Sequence, residues 1–460
     1  VSGEPQTPLA TTRASAPPAT LPTAITSATT SLSPPASAKP RRGYIDWLRG
    51  LAVVIMIEAH TFDSWTAASS REGLTYWYVQ LIAGWGAPIF LFLAGVSVAL
   101  ASGSKARRGL DGFAASTSMQ KRGLQIFGLA LLFRVQAWLL SPGATLYGIL
   151  KVDILNIMGP AIAASALVWG LVPSPADTSG SKGGATSSSA TIGPLPSSSK
   201  RRETIWRIVA LSAVASLLAL LTPIVRHSEW LALLPDPIEW YLRPWPGRTT
   251  FTFFPWAGFV FAGAAVGVLL DRVREARGEG RLNLCLGIAG AAIALASFGA
   301  SYLPSPYAQS SFWTSSPCFF FLRVGVLVLL LSLAYAWSIR PAFALTRGAQ
   351  HYSPLIQFGQ TSLFVYWIHV EMVYGILSYP LHRALTLPQA LVAFLLFTGA
   401  MFWLSIWKTR IARRWQGGGN TQDGVGRGDA GGPSRDGQPR EVQPRDDAVS
   451  APPPVVPRYS

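Results

Sequence analysis

The residues best suited to chemistry lie in the first long apolar stretch, Tyr44-Ile-Asp-Trp-Leu-Arg-Gly-Leu-Ala-Val-Val-Ile-Met-Ile-Glu-Ala-His60. Four ionisable groups sit there: Asp46, Arg49, Glu58 and His60. On a helix turning 100° per residue, Arg49 and His60 are three turns plus about 20° apart, so they share a face about 16.5 Å apart along the axis. Asp46 and Asp63 fall near the same stripe, and Glu58 points elsewhere. A guanidinium pairs well with phosphate, and an imidazole titrating near neutral pH is the usual general base. Arg49 reads equally as a headgroup-snorkelling residue. The chain has 5 histidines. His60 and His369 lie within apolar stretches and lead as candidate bases. His351 falls at an inner boundary, and His227 and His382 fall in outer loops. No His pair has metal-ligand spacing, so no metal site is expected.

Such groups need a scaffold, and composition says which kind. Half of the 460 residues are hydrophobic and 13% are charged, against roughly 25% charged in a soluble domain. An all-α, multi-pass membrane bundle is therefore expected. Two cysteines, Cys285 and Cys318, exclude a disulfide scaffold and a Cys-based zinc site. Residues 1–40 read as a disordered Pro/Ala/Thr/Ser tail without an apolar core segment, residues 173–203 as a Ser/Gly-rich insert, and residues 416–460 as a second disordered tail. The domain proper is 41–415. Within it ten apolar segments reach membrane length: 45–65, 78–102, 122–140, 153–172, 204–225, 251–270, 282–303, 317–338, 353–378 and 389–408.

The net charge of +16 at first suggests nucleic acid. With a cytoplasmic amino terminus, however, 21 basic residues fall on the inner side near the spans and 6 in the outer loops, the positive-inside pattern. The basic excess is an orientation signal, so no nucleic-acid partner is expected. Both termini are placed in the cytoplasm, with membrane lipids as neighbours.

The same topology assigns depths. His60, Arg134, Lys151, Asp153, Arg323, His369 and Glu371 come from different spans, yet all map below the outer surface. Charges in a membrane span face protein or water, so a shared outward-facing polar cavity is expected, with Arg134 or Arg323 alternatively pairing with Asp153 or Glu371 to lock helices. Asp63 or Glu371 would orient His60. The segment Tyr241-Leu-Arg-Pro-Trp-Pro-Gly-Arg248 reads as a shaped loop able to cover an acceptor. The outer tryptophans Trp65, Trp77, Trp138, Trp230, Trp240, Trp245 and Trp313 form an interfacial belt or offer sugar-stacking faces.

An Arg and a His separated by ten residues in the first span is a pattern of the membrane acyltransferase-three superfamily. The string Tyr44-Ile-Asp-Trp-Leu-Arg-Gly-Leu-Ala52 resembles more closely the bacterial relatives of the heparan-α-glucosaminide N-acetyltransferase catalytic domain. So do Gly86-Ala-Pro-Ile-Phe-Leu-Phe-Leu-Ala-Gly-Val-Ser97, Leu150-Lys-Val-Asp-Ile-Leu-Asn156, Phe254-Pro-Trp-Ala-Gly258 and Ser362-Leu-Phe-Val-Tyr-Trp-Ile-His369. The resemblance implies a cell-membrane acyltransferase that takes acetyl or acyl from cytoplasmic acyl-CoA as co-substrate, with no bound cofactor, and passes it to a carbohydrate-like acceptor. On that reading His60 is the general base, with His369, Asp63 and Glu371 beside it. Asp46, Arg49, Arg134, Lys151, Asp153, Arg248 and Arg323 would bind donor or acceptor. One departure stands out. The family's proposed acetyl-carrying histidine follows the first span, and here Thr61–Tyr76 contains none. The competing class is a proton-coupled transporter or non-catalytic membrane protein using the same charges.

Overall fold

In hydrocarbon every backbone N–H and C=O must be satisfied within its own segment, so apolar stretches of this length become helices. A computed structural model describes residues 42–140, 145–172, 197–273, 275–340 and 353–418. Its helices are α1 Gly43–Trp65, α2 Leu74–Ala83, α3 Gly86–Ala106, α4 Gly112–Leu139, α5 Ile154–Leu171, α6 Ser197–Arg226, α7 Asp236–Leu242, α8 Phe253–Arg272, α9 Ala276–Ala300, α10 Pro317–Ser338, α11 Pro354–Gln360, α12 Ser362–Tyr374 and α13 Leu387–Gly418. The all-α expectation holds. The amino-terminal tail, most of the 173–203 insert, His351 and nearly all of the carboxy-terminal tail lie outside the described residues. The boundary of the insert is corrected at one end, since α6 begins at Ser197.

Among the described residues seven segments are long and apolar enough to cross a membrane: Leu74–Ala106, Ile154–Leu171, Ser198–Arg226, Phe253–Arg272, Ala276–Ala300, Pro317–Ser338 and Leu387–Trp415. The protein is a multi-pass membrane bundle. The three other expected spans are helical but more polar or interrupted. α1 carries Asp46, Arg49, Glu58 and Asp63, and α4 carries Lys121, Arg122 and Arg134. The segment 353–378 is a broken span. α11 stops at Thr361, whose backbone leaves the helical region (φ −110°, ψ 16°), and α12 begins at the next residue. The Thr361 hydroxyl donates to the Gln357 carbonyl (2.9 Å) and to Ser405 Oγ (3.1 Å), tying the break to α13. Pro317 and Pro354 open their helices, at the position where a missing N–H costs nothing.

Packing in lipid depends on close backbone approach, which small residues allow. Gly95 on α3 faces the Val260 carbonyl on α8, and Gly263 on α8 faces the Phe92 carbonyl on α3, each too close for a Cβ. Gly50 and Gly359 seat α1 against α11 in the same way. Buried Gln357 donates to the Ser405 carbonyl, Ser405 Oγ and Thr409 Oγ1 at 3.0, 2.9 and 2.8 Å, a polar tie between α11 and α13.

These contacts define two levels. At one, the start of α1 meets the start of α9 through a Tyr44–Glu279 hydrogen bond (2.8 Å), and the ends of α3 and α8 meet through an Arg107–Asp271 ion pair. At the other lie the ends of α1, α4 and α12 and the starts of α3, α5 and α8. The site is at this second level.

Candidate active site

The last two turns of α1 bring Met56, Ala59, His60 and Asp63 to a cavity of about 420 Å³. The end of α4 adds Phe133, Arg134, Ala137 and Leu140, and the approach to α5 adds Lys151, Asp153 and Ile154. Tyr366, Val370, Glu371, Tyr374 and Gly375 of the α12 segment complete the wall beside α4, with Thr250 and Phe251 from the loop before α8. Of the residues mapped to one depth in the sequence, His60, Arg134, Lys151, Asp153 and Glu371 line this cavity, together with Asp63.

The approach to α5 is held firmly. Asp153 caps the helix, accepting from the Leu155 and Asn156 amides at 3.0 and 3.2 Å, while the Asn156 side chain accepts from the Asp153 amide at 3.3 Å. This reciprocal arrangement satisfies otherwise orphaned N–H groups. Asn156 also donates to the Tyr241 hydroxyl (3.3 Å). The Val152 amide donates to the Arg248 carbonyl and the Thr250 amide to the Val152 carbonyl, both 2.9 Å, pinning Lys151 and Asp153 to the 248–250 loop. Burial and the nearby Arg134 push Lys151 below the usual lysine range, with Asp153 and Asp63 opposing.

His369 does not line the cavity. It is fully buried behind His60, with His60 Nδ1 3.0 Å from His369 Nε2 and the rings stacked at 5.1 Å and 12°. His369 Nδ1 lies 2.8 Å from the Val365 carbonyl oxygen. A carbonyl only accepts, so that nitrogen carries the proton. In a neutral ring His369 Nε2 is then an acceptor, and His60 Nδ1–H donates to it. The remaining nitrogen of neutral His60, Nε2, holds the free lone pair. This hydrogen-bond chain assigns the tautomer of each ring.

Neither Asp63 nor Glu371 hydrogen-bonds to His60. Asp63 accepts from the Tyr374 hydroxyl (2.9 Å) and pairs loosely with Arg71 (3.9 Å) at the rim. The Tyr374 ring stands edge-on to His60, 5.6 Å away. Tyr374 was not anticipated, though Tyr366, Val370 and Tyr374 recur every four residues along one helix face beside Glu371. Arg134 approaches Asp153 at 3.5 Å, a long contact that leaves its buried Nε without a hydrogen-bond partner, and Glu371 Oε1 is likewise unpartnered. Two residues of the cavity lining thus each keep a buried polar atom without a partner, which native structures rarely leave without a purpose.

Four expected ligand-binding groups are placed elsewhere. Arg49 donates to Asp46 Oδ1 and Ser97 Oγ, both 2.8 Å, a buried tie between α1 and α3 outside the cavity. Asp46 is its partner there, so neither lines the His60 site. Arg248 is not among the residues lining the cavity; its carbonyl accepts from the Val152 amide and its guanidinium lies over the Tyr147 ring (4.8 Å). Arg323 faces a separate pocket. Among the outer tryptophans Trp65 and Trp240 are buried at 3% exposure, whereas Trp77, Trp230, Trp245 and Trp313 are exposed. The expected shaped loop begins at Arg243, since Tyr241 and Leu242 end α7.

Residues 41–172 match the family described as heparan-alpha-glucosaminide N-acetyltransferase, catalytic. Over this stretch the chain is similar to that family's catalytic domain. The matched region runs from α1 to the end of α5, and so includes His60, Asp63, Arg134, Lys151 and Asp153. His369 and Glu371 lie beyond it, on α12. None of the curated proteins compared with the chain matches it. The apolar helices indicate a multi-pass membrane protein, and the similarity to an N-acetyltransferase family covers residues 41–172.

Proposed function

We propose that the protein transfers an acetyl group from acetyl-CoA to a hydroxyl or amine of a carbohydrate-like acceptor, with His60 Nε2 as the general base. The observation that carries this reading is His60 on the cavity wall, backed by the buried His369, whose hydrogen bonds leave His60 Nε2 as the nitrogen with a free lone pair.

In the proposed reaction the acceptor heteroatom attacks the thioester carbonyl as His60 Nε2 takes its proton. His369 stabilises the resulting imidazolium by accepting the His60 Nδ1–H hydrogen bond. The carbonyl oxygen becomes an oxyanion, and the unpartnered Arg134 Nε, with Lys151 nearby, supplies positive charge to it. Collapse breaks the carbon–sulfur bond, and CoA leaves as a thiol with the proton held by His60. Glu371 and the Asp63–Tyr374 pair would hold acceptor hydroxyls. The cavity volume is that of a small-molecule site. The charge distribution in the sequence supports both termini inside and the cavity toward the outer face, and the resemblance to bacterial relatives supports a bacterial cytoplasmic membrane.

Purified protein reconstituted in vesicles, given labelled acetyl-CoA and a mixture of envelope sugars, should yield an acetylated sugar and free CoA. A pH gradient driving sugar uptake with no acetylated product would instead favour transport.

A further inference from the structure

A second pocket lies on the other side of the α2–α3 turn. Ala83 lines the His60 cavity, while the next residue, Gly84, lines this pocket of about 270 Å³ with Trp77, Gln80, Trp85, Trp313, Phe319 and Arg323. Arg323 sits six residues into α10, about 9 Å along the helix from its first residue. Among the described residues it makes no ion pair or hydrogen bond, and its Nε is buried without a partner. Its neighbours are ring faces, with Phe319 at 4.1 Å and Trp85 and Trp256 each at 5.9 Å. Rings stabilise a cation only partly, so an arginine within an apolar span and without a carboxylate is a costly feature.

The pocket mouth shows what should meet it. Trp77, Leu81 and Trp313 on its rim are exposed, and they continue into exposed Leu74, Tyr78 and Ile82 on α2. This surface is apolar and aromatic, as helices are at the level where headgroups meet acyl chains. A ligand matching both parts has an anionic head for Arg323 and hydrocarbon for the face of α2.

We propose that the Arg323 pocket binds the headgroup phosphate of an anionic phospholipid whose chains lie along α2. The guanidinium supplies a planar fork suited to phosphate oxygens, Gln80 stands at the rim as a further polar group, and the rings exclude water from the contact.

Delipidated protein offered phosphatidylglycerol or phosphatidylcholine, and read by native mass spectrometry, tests this. Wild type should retain one phosphatidylglycerol in preference to phosphatidylcholine, and Arg323→Gln should weaken that retention roughly tenfold or more. Arg323→Lys should keep most of it, and Arg340→Gln at the far end of α10 should leave it unchanged. A photoreactive phosphatidylglycerol on unmutated protein should label peptides containing 74–85 or 313–323. Equal retention by wild type and Arg323→Gln, labelling confined to other peptides, or displacement of the lipid by millimolar inorganic phosphate would each overturn the proposal.

Discussion

His369 has no access to substrate, yet its Nδ1–H on the Val365 carbonyl determines which His60 nitrogen is basic. His369→Gln keeps a carbonyl able to accept from His60, whereas His369→Phe keeps the bulk and removes the acceptor. The Phe variant should therefore lose about 10–100-fold in kcat, as outer-shell substitutions do, with the Gln variant losing less. Equal kcat for both would show that the hydrogen bond does not matter. Arg134→Met should cost roughly 10²–10³ in kcat if the guanidinium meets the oxyanion, and an effect confined to KM would place it on ground-state binding instead. The two histidines stand out in the sequence as ionisable groups inside apolar stretches. Their mutual contact is not legible there, because the residues are 309 positions apart. Arg323 shows the limit of reading depth from topology. Equal depth says nothing about azimuth, and Arg323 lines a pocket separate from that of His60.

At the scale of elements, the helices were readable because hydrocarbon forces them, and so was the shared level of α1, α4, α5 and α12. The break at Thr361 was not, since 353–378 reads as one apolar run and only packing against α1 and α13 makes the interruption stable. Gly263→Leu would drive a side chain into the Phe92 backbone of α3. It should destabilise the bundle by at least about 1–3 kcal/mol, seen as a lower unfolding midpoint in detergent, while Gly299→Ala, in open space on α9, should leave the midpoint unmoved. Asp153→Ala removes a helix cap worth about 1 kcal/mol and also the partner of Arg134. A larger loss of activity than of stability is expected.

For the whole molecule, the uneven placement of Lys and Arg in the sequence is the basis for proposing that the cavity opens outward. Single cysteines at Glu229 and Lys408, both exposed, introduced into protein lacking Cys285 and Cys318, test it. An impermeant maleimide added outside intact cells should label position 229 and spare position 408. The reverse pattern would turn the cavity toward the cytoplasm and require the acceptor to be found there.

The account turns on one imidazole, so the rate of acetyl transfer by His60→Gln in vesicles is its most direct test. With unfolding midpoint and membrane insertion matching wild type, the variant should transfer acetyl at least about 10²-fold more slowly. Turnover at the wild-type rate would contradict the assignment of His60 as the base.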